Sequence, residues 1–341
     1  MKIGKLIVVL LFTICCTSNG DSERKANLSK QTTATAVVNQ SISINTDRTD
    51  NLAREAYSLM LSAPTVTGNQ NNTLRFGQNQ ELKFTTKFYD AVDKWVAFRT
   101  KEDSLYMAGF IYIDMQAGFT FCFETSFVIT DNSLEKLTSY SDSMRLILRL
   151  GRNTADVAIL TKKEIEQLGL PEEPDWLKSY GKSAGTNLHF VMLGLFYNSI
   201  RENHRAIESL LKVYNKNPHF YRLEYELAHA YNATKNFDKA IAVLNKAIKN
   251  DSKNYKFYKE LGFSLIHQNK LTEAESVYLK GIELTTVKAQ KAEMAHNMAF
   301  SYFQIRNRAK FEEWAKLTRK YADENSQFYR NMNSLERNWD K

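Results

Sequence analysis

Tyr221–Asn254 reads YRLEYELAHAYNATKNFDKAIAVLNKAIKNDSKN, a stretch of 34 residues. Tyr255–Lys288 repeats its pattern without a gap, and Asn187–Phe220 carries the same pattern just upstream. The match is one of side-chain size as well as hydrophobicity. The eighth place of each unit is small (Gly194, Ala228, Gly262), and so is the twentieth (Ala206, Ala240, Ala274). Leu193, Leu227 and Leu261 precede the first set, and Tyr197, Tyr231 and Leu265 follow it by three residues. Leu210, Leu244 and Tyr278 come four residues after the second set, and Val213, Ala247 and Gly281 three further on. Small residues recur where two helices cross closely, and large ones fill the space beside the crossing. Each unit is therefore expected to be two antiparallel helices of about 14 residues, joined by a short turn at Arg201–Glu202, Lys235–Asn236 or Asn269–Lys270.

This register of some eight positions over three tandem units resembles the tetratricopeptide repeat. A fourth unit departs from it. Met298, Ala299 and Tyr302 come three residues late, and Phe311 stands where a small residue is expected. Ser326–Trp339 places Tyr329, Met332, Leu335 and Trp339 at helical spacing and reads as a cap for the end of the stack.

The resemblance implies that the first helix of each unit lines a concave groove, with the side chains one, four, eight and eleven residues after its start pointing inward. These are Leu188, Val191, Leu195 and Asn198 in the first unit and Arg222, Tyr225, His229 and Asn232 in the second. The third supplies Lys256, Lys259, Phe263 and Ile266, with His267 beside them. Such a mixture suits an extended protein segment or peptide of acidic character. His229 and Phe263 stand where the family's carboxylate clamp uses Asn, so capture of a chaperone's acidic C-terminus is not expected.

Around the repeats, the 341 residues leave room for about one further domain. The net charge is +8. Residues 187–320 hold 22 Lys/Arg against 13 Asp/Glu, so the array accounts for the whole basic surplus. Met1–Gly20, MKIGKLIVVLLFTICCTSNG, has two lysines ahead of an apolar run and small or polar residues after it, the pattern of a secretory leader too short to span a bilayer. Two exits fit: cleavage before Asp21, or lipidation of Cys15 or Cys16 as a membrane tether in a bacterial lipoprotein. The expected location is periplasm, outer membrane or cell surface, which argues against a nucleic-acid partner. Beyond the leader Cys122 is the only cysteine, so a mature chain forms no internal disulfide.

Residues 21–80 are rich in Ser, Thr, Asn and Gln and read as a disordered tether, with a short helix at Leu52–Leu61. Residues 81–181 read as an α+β domain, an antiparallel β meander with short helices. Phe119, Phe121, Phe123, Phe127 and Ile129 alternate with Thr120, Cys122, Glu124 and Ser126, the pattern of a half-buried strand. Leu105–Asp114 should pair with it in a hairpin, with Trp95–Thr100 before them. Met144–Leu150 reads as a strand against a competing helix over Ser133–Leu150, followed by Val157–Leu160. Thr161-Lys162-Lys163-Glu164 has the form of a capping box, and Pro174–Tyr180 is expected to be a short helix holding Trp176. The whole is thus an α+β domain followed by an all-α repeat solenoid (187–325) and a capping helix (326–341).

No catalytic constellation stands out. All six histidines lie in or beside the repeats, so the α+β domain can build no Ser-His-Asp arrangement of its own. Metal-ligand and phosphate-loop spacings are missing, and no metal or cofactor is expected. Asp114, Glu124 and Asp131 are the carboxylates that could pair as acid and base. The reading that results is an exported, non-enzymatic adaptor that binds a protein partner. The alternative is a hydrolase or glycan-binding α+β module positioned by the repeats.

Overall fold

The computed structural model describes residues 6–9, 73–76, 80–100, 104–130, 133–139, 144–179 and 185–339. Cys15, Cys16, Asp131 and the helix expected at Leu52–Leu61 lie outside the described residues. The chain divides into two compact units, the first reaching to Ala184 and the second starting at Gly185.

The first unit is built on strands β1 (Leu6–Val9), β4 (Lys94–Arg99), β5 (Leu105–Asp114), β6 (Gly118–Ile129), β7 (Leu134–Ser139), β8 (Met144–Arg149) and β9 (Ala158–Ile159), in the order β1-β8-β6-β5-β4-β9. Strands β4 to β6 are the expected meander, and β7, which was not foreseen, continues it. The rest departs from it. β8 does not follow β7 at the edge but pairs with the first half of β6, while β7 pairs with the second half. β9 returns to β4. β1, from the apolar run read as a leader, lies parallel to β8. The competing helix over Ser133–Leu150 is not formed. A separate hairpin of β2 (Thr73–Phe76) and β3 (Gln80–Lys83) extends ordered structure into the stretch read as tether.

The turn from β5 to β6 is set by Asp114, whose Oδ1 accepts from the amides of Gln116 and Ala117 at 2.8 Å, and by Gly118 at φ 87°. The half-buried reading of β6 is corrected: Phe119, Thr120, Phe121, Cys122 and Phe123 are all buried. The register shifts between Ala108 and Gly109, which pair with Thr125 and Phe123, leaving Glu124 as an extra residue. That bulge carries Phe127 onto the Cys122 face, where its ring stacks on Tyr106 at 5.4 Å. On the opposite face Phe121 packs edge-on against Phe98 at 4.9 Å. Gly109 makes this packing feasible, since a Cβ there would lie 2.3 Å from the Cys122 carbonyl and 2.5 Å from the Phe121 ring.

Helix α1 (Lys162–Gln167) opens with the capping box: the Thr161 amide donates to Glu164 Oε2 at 2.6 Å, and the Glu164 amide to Thr161 Oγ1 at 3.4 Å. Gly169 at φ 61° ends the turn. Residues Asp175–Ser179 form a 3-10 helix that lays Trp176 on Tyr112 at 4.8 Å, while Trp95 Nε1 donates to the Pro171 carbonyl at 2.9 Å.

Among the described residues the second unit forms nine helices: α2 (Asn187–Ser199), α3 (Asn203–Tyr214), α4 (Leu223–Ala233), α5 (Phe237–Asn250), α6 (Tyr255–His267), α7 (Leu271–Leu284), α8 (Lys288–Gln304), α9 (Arg308–Tyr321) and α10 (Gln327–Arg337). Small residues sit where the size pattern puts them, with Ala206, Ala228, Ala240 and Ala274 fully buried. A Cβ on Gly194 would lie 2.4 Å from Leu210 Cγ, and one on Gly262 would lie 2.2 Å from Tyr278 Cε1. Each hairpin turns through a residue in the left-handed region: Arg201 (φ 67°), Lys235 (φ 60°), Asn269 (φ 60°) and Arg306 (φ 55°). The next amide then reaches back to the carbonyl of Tyr197, Tyr231, Leu265 or Tyr302, closing the same helix-ending loop four times. The late fourth unit is accommodated by the 17-residue α8, in which Met298 and Ala299 are fully buried. Phe311 fits in place of a small residue because it stacks on Trp339 at 4.8 Å, beyond the helix pair. Helix α10 covers the C-terminal end with Met332 fully buried.

Candidate functional site

The first helices of successive units (α2, α4, α6, α8) lie against one another more closely than the second helices do, so the stack curves with the first helices inside. This inner face is the candidate site. A ladder of amide–carboxylate contacts runs beneath it. Asn198 Nδ2 donates to the Glu226 carbonyl at 3.0 Å and to its Oε2 at 3.1 Å. One repeat on, Asn232 Nδ2 donates to the Glu260 carbonyl at 3.1 Å and to its Oε2 at 3.0 Å. Asn232 Oδ1 accepts from Ser264 Oγ at 2.6 Å. Asn198 Oδ1 is buried with no hydrogen-bond partner, because Ala230 occupies the place of that serine. In the third unit Ile266 stands in the asparagine position and the ladder ends.

The ladder changes the meaning of the predicted groove residues. Asn232 is buried and its amide is committed to the next repeat, so it joins repeats and does not face a ligand. Arg222 Nη2 lies 3.0 Å from Glu226 Oε1, His229 Nδ1 lies 3.6 Å from Glu260 Oε1, and Lys259 Nζ lies 3.3 Å from Glu293 Oε1. Three of the five basic side chains predicted for the groove, Arg222, His229 and Lys259, thus sit beside a carboxylate. Of the other two, His267 lies against aromatic rings, and Lys256 is exposed, with Nζ 5.8 Å above the Tyr225 ring. Tyr225 in turn stacks on His229 at 6.3 Å, and Phe263 meets His267 at 4.4 Å, whose ring lies flat on Phe237 at 4.9 Å.

The electrostatics follow from these contacts. Hydrogen bonding to Glu260 raises the His229 pKa, against the opposing effect of burial. Burial pushes the Glu260 carboxyl up, but His229, the Asn232 amide and Lys259 outweigh it and hold it below the ordinary carboxylate range. Burial, with the Glu260 and Glu226 charges, raises the Tyr225 phenol. His267 is lowered by burial and by Lys235. The face is therefore an aromatic shelf over closed ion pairs. Glu226 and Glu260 were not singled out from the sequence, although they recur at the sixth place of consecutive units; the family pattern drew attention to outward positions alone.

A second concavity, of about 610 Å³, lies between the C-terminal ends of α3 and α5, lined by Tyr214, Pro218, His219, Lys246 and Lys249 among others. Lys249 lies in the last turn of α5, a placement that offsets the dipole of that helix. In the sheet unit, Asp114 is committed to its turn and Glu124 to the bulge. Six residues of extended strand separate Glu124 from Gly118 at that turn, about 20 Å. This is too far for the two carboxylates to act as an acid–base pair. Cys122 is buried. Among the described residues no group of three His, Cys, Asp or Glu is placed to hold a metal, and no helix is long and apolar enough to cross a membrane.

Residues 202–256 match the family model of the tetratricopeptide repeat, and the chain thus carries tetratricopeptide repeats. No curated protein matches the chain. Among solved structures it is similar to TTC0263, a thermophilic tetratricopeptide repeat protein of Thermus thermophilus. The two share 13% identity over 46% of this chain and 86% of that one, with a TM-score of 0.40. It is also similar to MamA from Desulfovibrio magneticus, at 15% identity over 49% and 85% with a TM-score of 0.36. A third is YrrB, a tetratricopeptide repeat protein with an unusual peptide-binding site, at 16% identity over 44% and 75% with a TM-score of 0.38.

Proposed function

We propose that this protein is an exported scaffold, without catalytic activity of its own, whose concave repeat face holds an extended segment of a partner protein in the cell envelope. The observation that carries the reading is the inner face itself, with two aromatic groups on it: Tyr225 and His229 beside Lys256, and Phe263 with His267. An extended segment would lay apolar or aromatic side chains on these groups and set an acidic one against Lys256. The acidic character expected of the partner narrows accordingly, because Arg222, His229 and Lys259 are neutralised from within.

A pull-down from envelope extract tests the groove, using wild type, the double variant Lys256→Glu/Phe263→Ala, and Leu279→Glu on the outer helix α7. The expected result is a partner retained by wild type and by Leu279→Glu and lost by the double variant. A partner indifferent to the double variant would refute the groove reading. Export and anchoring are read separately, from the mass of the mature amino terminus. A lipid-modified Cys15 or Cys16 places the scaffold on a membrane, a free Asp21 makes it soluble in its compartment, and an intact Met1 refutes export.

A further inference from the structure

The concavity between α3 and α5 is furnished differently from the inner face. Its volume, about 610 Å³, falls within the ~300–1,000 Å³ range of small-molecule clefts. Lys246 and Lys249 lie three residues apart on α5, and so on one side of it, with Asn250 after them. Tyr214, Asn215 and His219 line the concavity from the end of α3 and the turn beyond. On the inner face Arg222, His229 and Lys259 sit beside carboxylates. Here, among the described residues, neither lysine has an ion pair, and the Tyr214 hydroxyl and the Asn215 and Asn250 side-chain amides make no hydrogen bond. Burial and the Glu224 charge raise the Tyr214 phenol, which keeps it a donor. The carboxylates nearby are engaged elsewhere. Glu224 is buried, with Oε1 2.9 Å from His219 Nδ1, and Asp251 Oδ1 accepts from the Lys253 amide at 3.1 Å.

We propose that this concavity binds a phosphate group carried on a small polar molecule or on a lipid headgroup. Ammonium groups from α5, with a hydroxyl and an amide from the end of α3, approach an anion from more than one side. That suits the tetrahedral oxygens of a phosphate better than the two coplanar oxygens of a carboxylate. The balance of charge favours an anion as well. Two helix C-termini together amount to about one negative charge, and the two lysines bring two positive ones. Local turns also cover the terminal carbonyls: the Asn217 amide donates to the Val213 carbonyl and the Asp251 amide to the Ala247 carbonyl, each at 2.8 Å. Lys249 alone would offset the end of α5; Lys246, a turn further in, is surplus to that task. A bare phosphate would leave most of the space to water, so the ligand carries a further polar group of the size of glycerol or a sugar.

Calorimetric titration of the full chain with glycerol 3-phosphate and with inorganic phosphate, at constant ionic strength in chloride, tests this. The expected result is saturable binding of glycerol 3-phosphate, tighter than that of inorganic phosphate. The double variant Lys246→Gln/Lys249→Gln should weaken it at least tenfold and Tyr214→Phe several-fold, with the helical circular dichroism unchanged. Lys288→Gln/Lys316→Gln, which removes the same charge from α8 and α9, should leave it intact. Vesicles of phosphatidylglycerol in phosphatidylcholine, set against phosphatidylcholine alone, identify the source. Retention on the anionic vesicles that needs Lys246 and Lys249 assigns the site to a headgroup. Glycerol 3-phosphate binding without such retention assigns it to a soluble phosphate. If glycerol 3-phosphate does not bind and vesicle retention ignores the two lysines, they serve the helix ends alone and the proposal is overturned. An equal loss of binding in Lys288→Gln/Lys316→Gln would overturn it too, as an effect of overall charge.

Discussion

The ladder beneath the inner face exposes single-residue logic. Asn232 uses both of its amide hydrogens and its oxygen accepts from Ser264, while Asn198 has its carbonyl oxygen buried and orphaned for want of one hydroxyl. Leaving such a group unpaired costs about 1–3 kcal/mol. Ala230→Ser places a hydroxyl where Ser264 stands one repeat later, and it should stabilise the chain by about 1 kcal/mol, read as a higher urea midpoint at unchanged slope. Ser264→Ala should move the midpoint the other way. His229 makes a second residue-scale prediction. Its folded pKa is raised, so the stability it contributes is fully present below the unfolded value of about 6.5 and is lost as pH rises through the folded value. His296 has the opposite sign: burial lowers its folded pKa, so it costs stability as pH falls below about 6.5. Comparing wild type with His229→Gln isolates the first effect. The gap in stability should be widest near pH 5.5 and closed by pH 9, and a gap that grows with pH would refute the assignment.

At the scale of the element, the helical hairpins were legible because their determinant is side-chain volume at fixed intervals. Gly194, Gly262 and Ala240 sit where two backbones cross, and nothing larger fits. Gly262→Ala should cost about 1–3 kcal/mol, since Tyr278 cannot withdraw without leaving the core. The turns were legible in place but not in conformation. Arg201 and Lys235 hold left-handed geometry that costs a residue with a Cβ about 1–2 kcal/mol. Lys235→Gly should therefore raise the melting temperature by a few degrees, after the entropy that glycine returns to the unfolded chain is deducted. The sheet unit was half legible. Alternation located β4, β5, β6 and β8, and the Thr161 capping box was readable outright. The pairings of β4, β5 and β6 were readable, but those of β8 and β9 were not, nor was the register past Glu124, because one extra residue there reverses every later side chain and alternation alone does not show where a bulge falls. The groove shows the same division. The positions that face inward could be counted from the repeat, but their availability depended on Glu226, one turn along the same helix as Arg222, and on Glu260 and Glu293, which reach His229 and Lys259 from neighbouring helices.

For the whole molecule, the array behaves as a one-dimensional stack in which each unit is stabilised by its neighbours. Its end cap is then a requirement. Ending the chain at residue 325 removes Met332, Leu335 and Trp339, uncovers Phe303 and Phe311, and should lower the melting temperature and increase binding of a hydrophobic dye. An unchanged melting curve would show that α10 is an appendage. The break in the ladder at Ile266 carries a further consequence. The first two junctions between repeats are held by buried amides, which dissolved ions do not reach. The third is held by packing, by hydrogen bonds from Asn297 to the Tyr278 hydroxyl and from Trp314 to Glu275, and by the partly exposed ion pairs Lys259–Glu293 and Lys310–Glu275, and such pairs are screened within about 8 Å at physiological ionic strength. Concentrated salt should therefore loosen that one joint while leaving the others firm, giving the solenoid a hinge whose stiffness is set by the surrounding electrolyte.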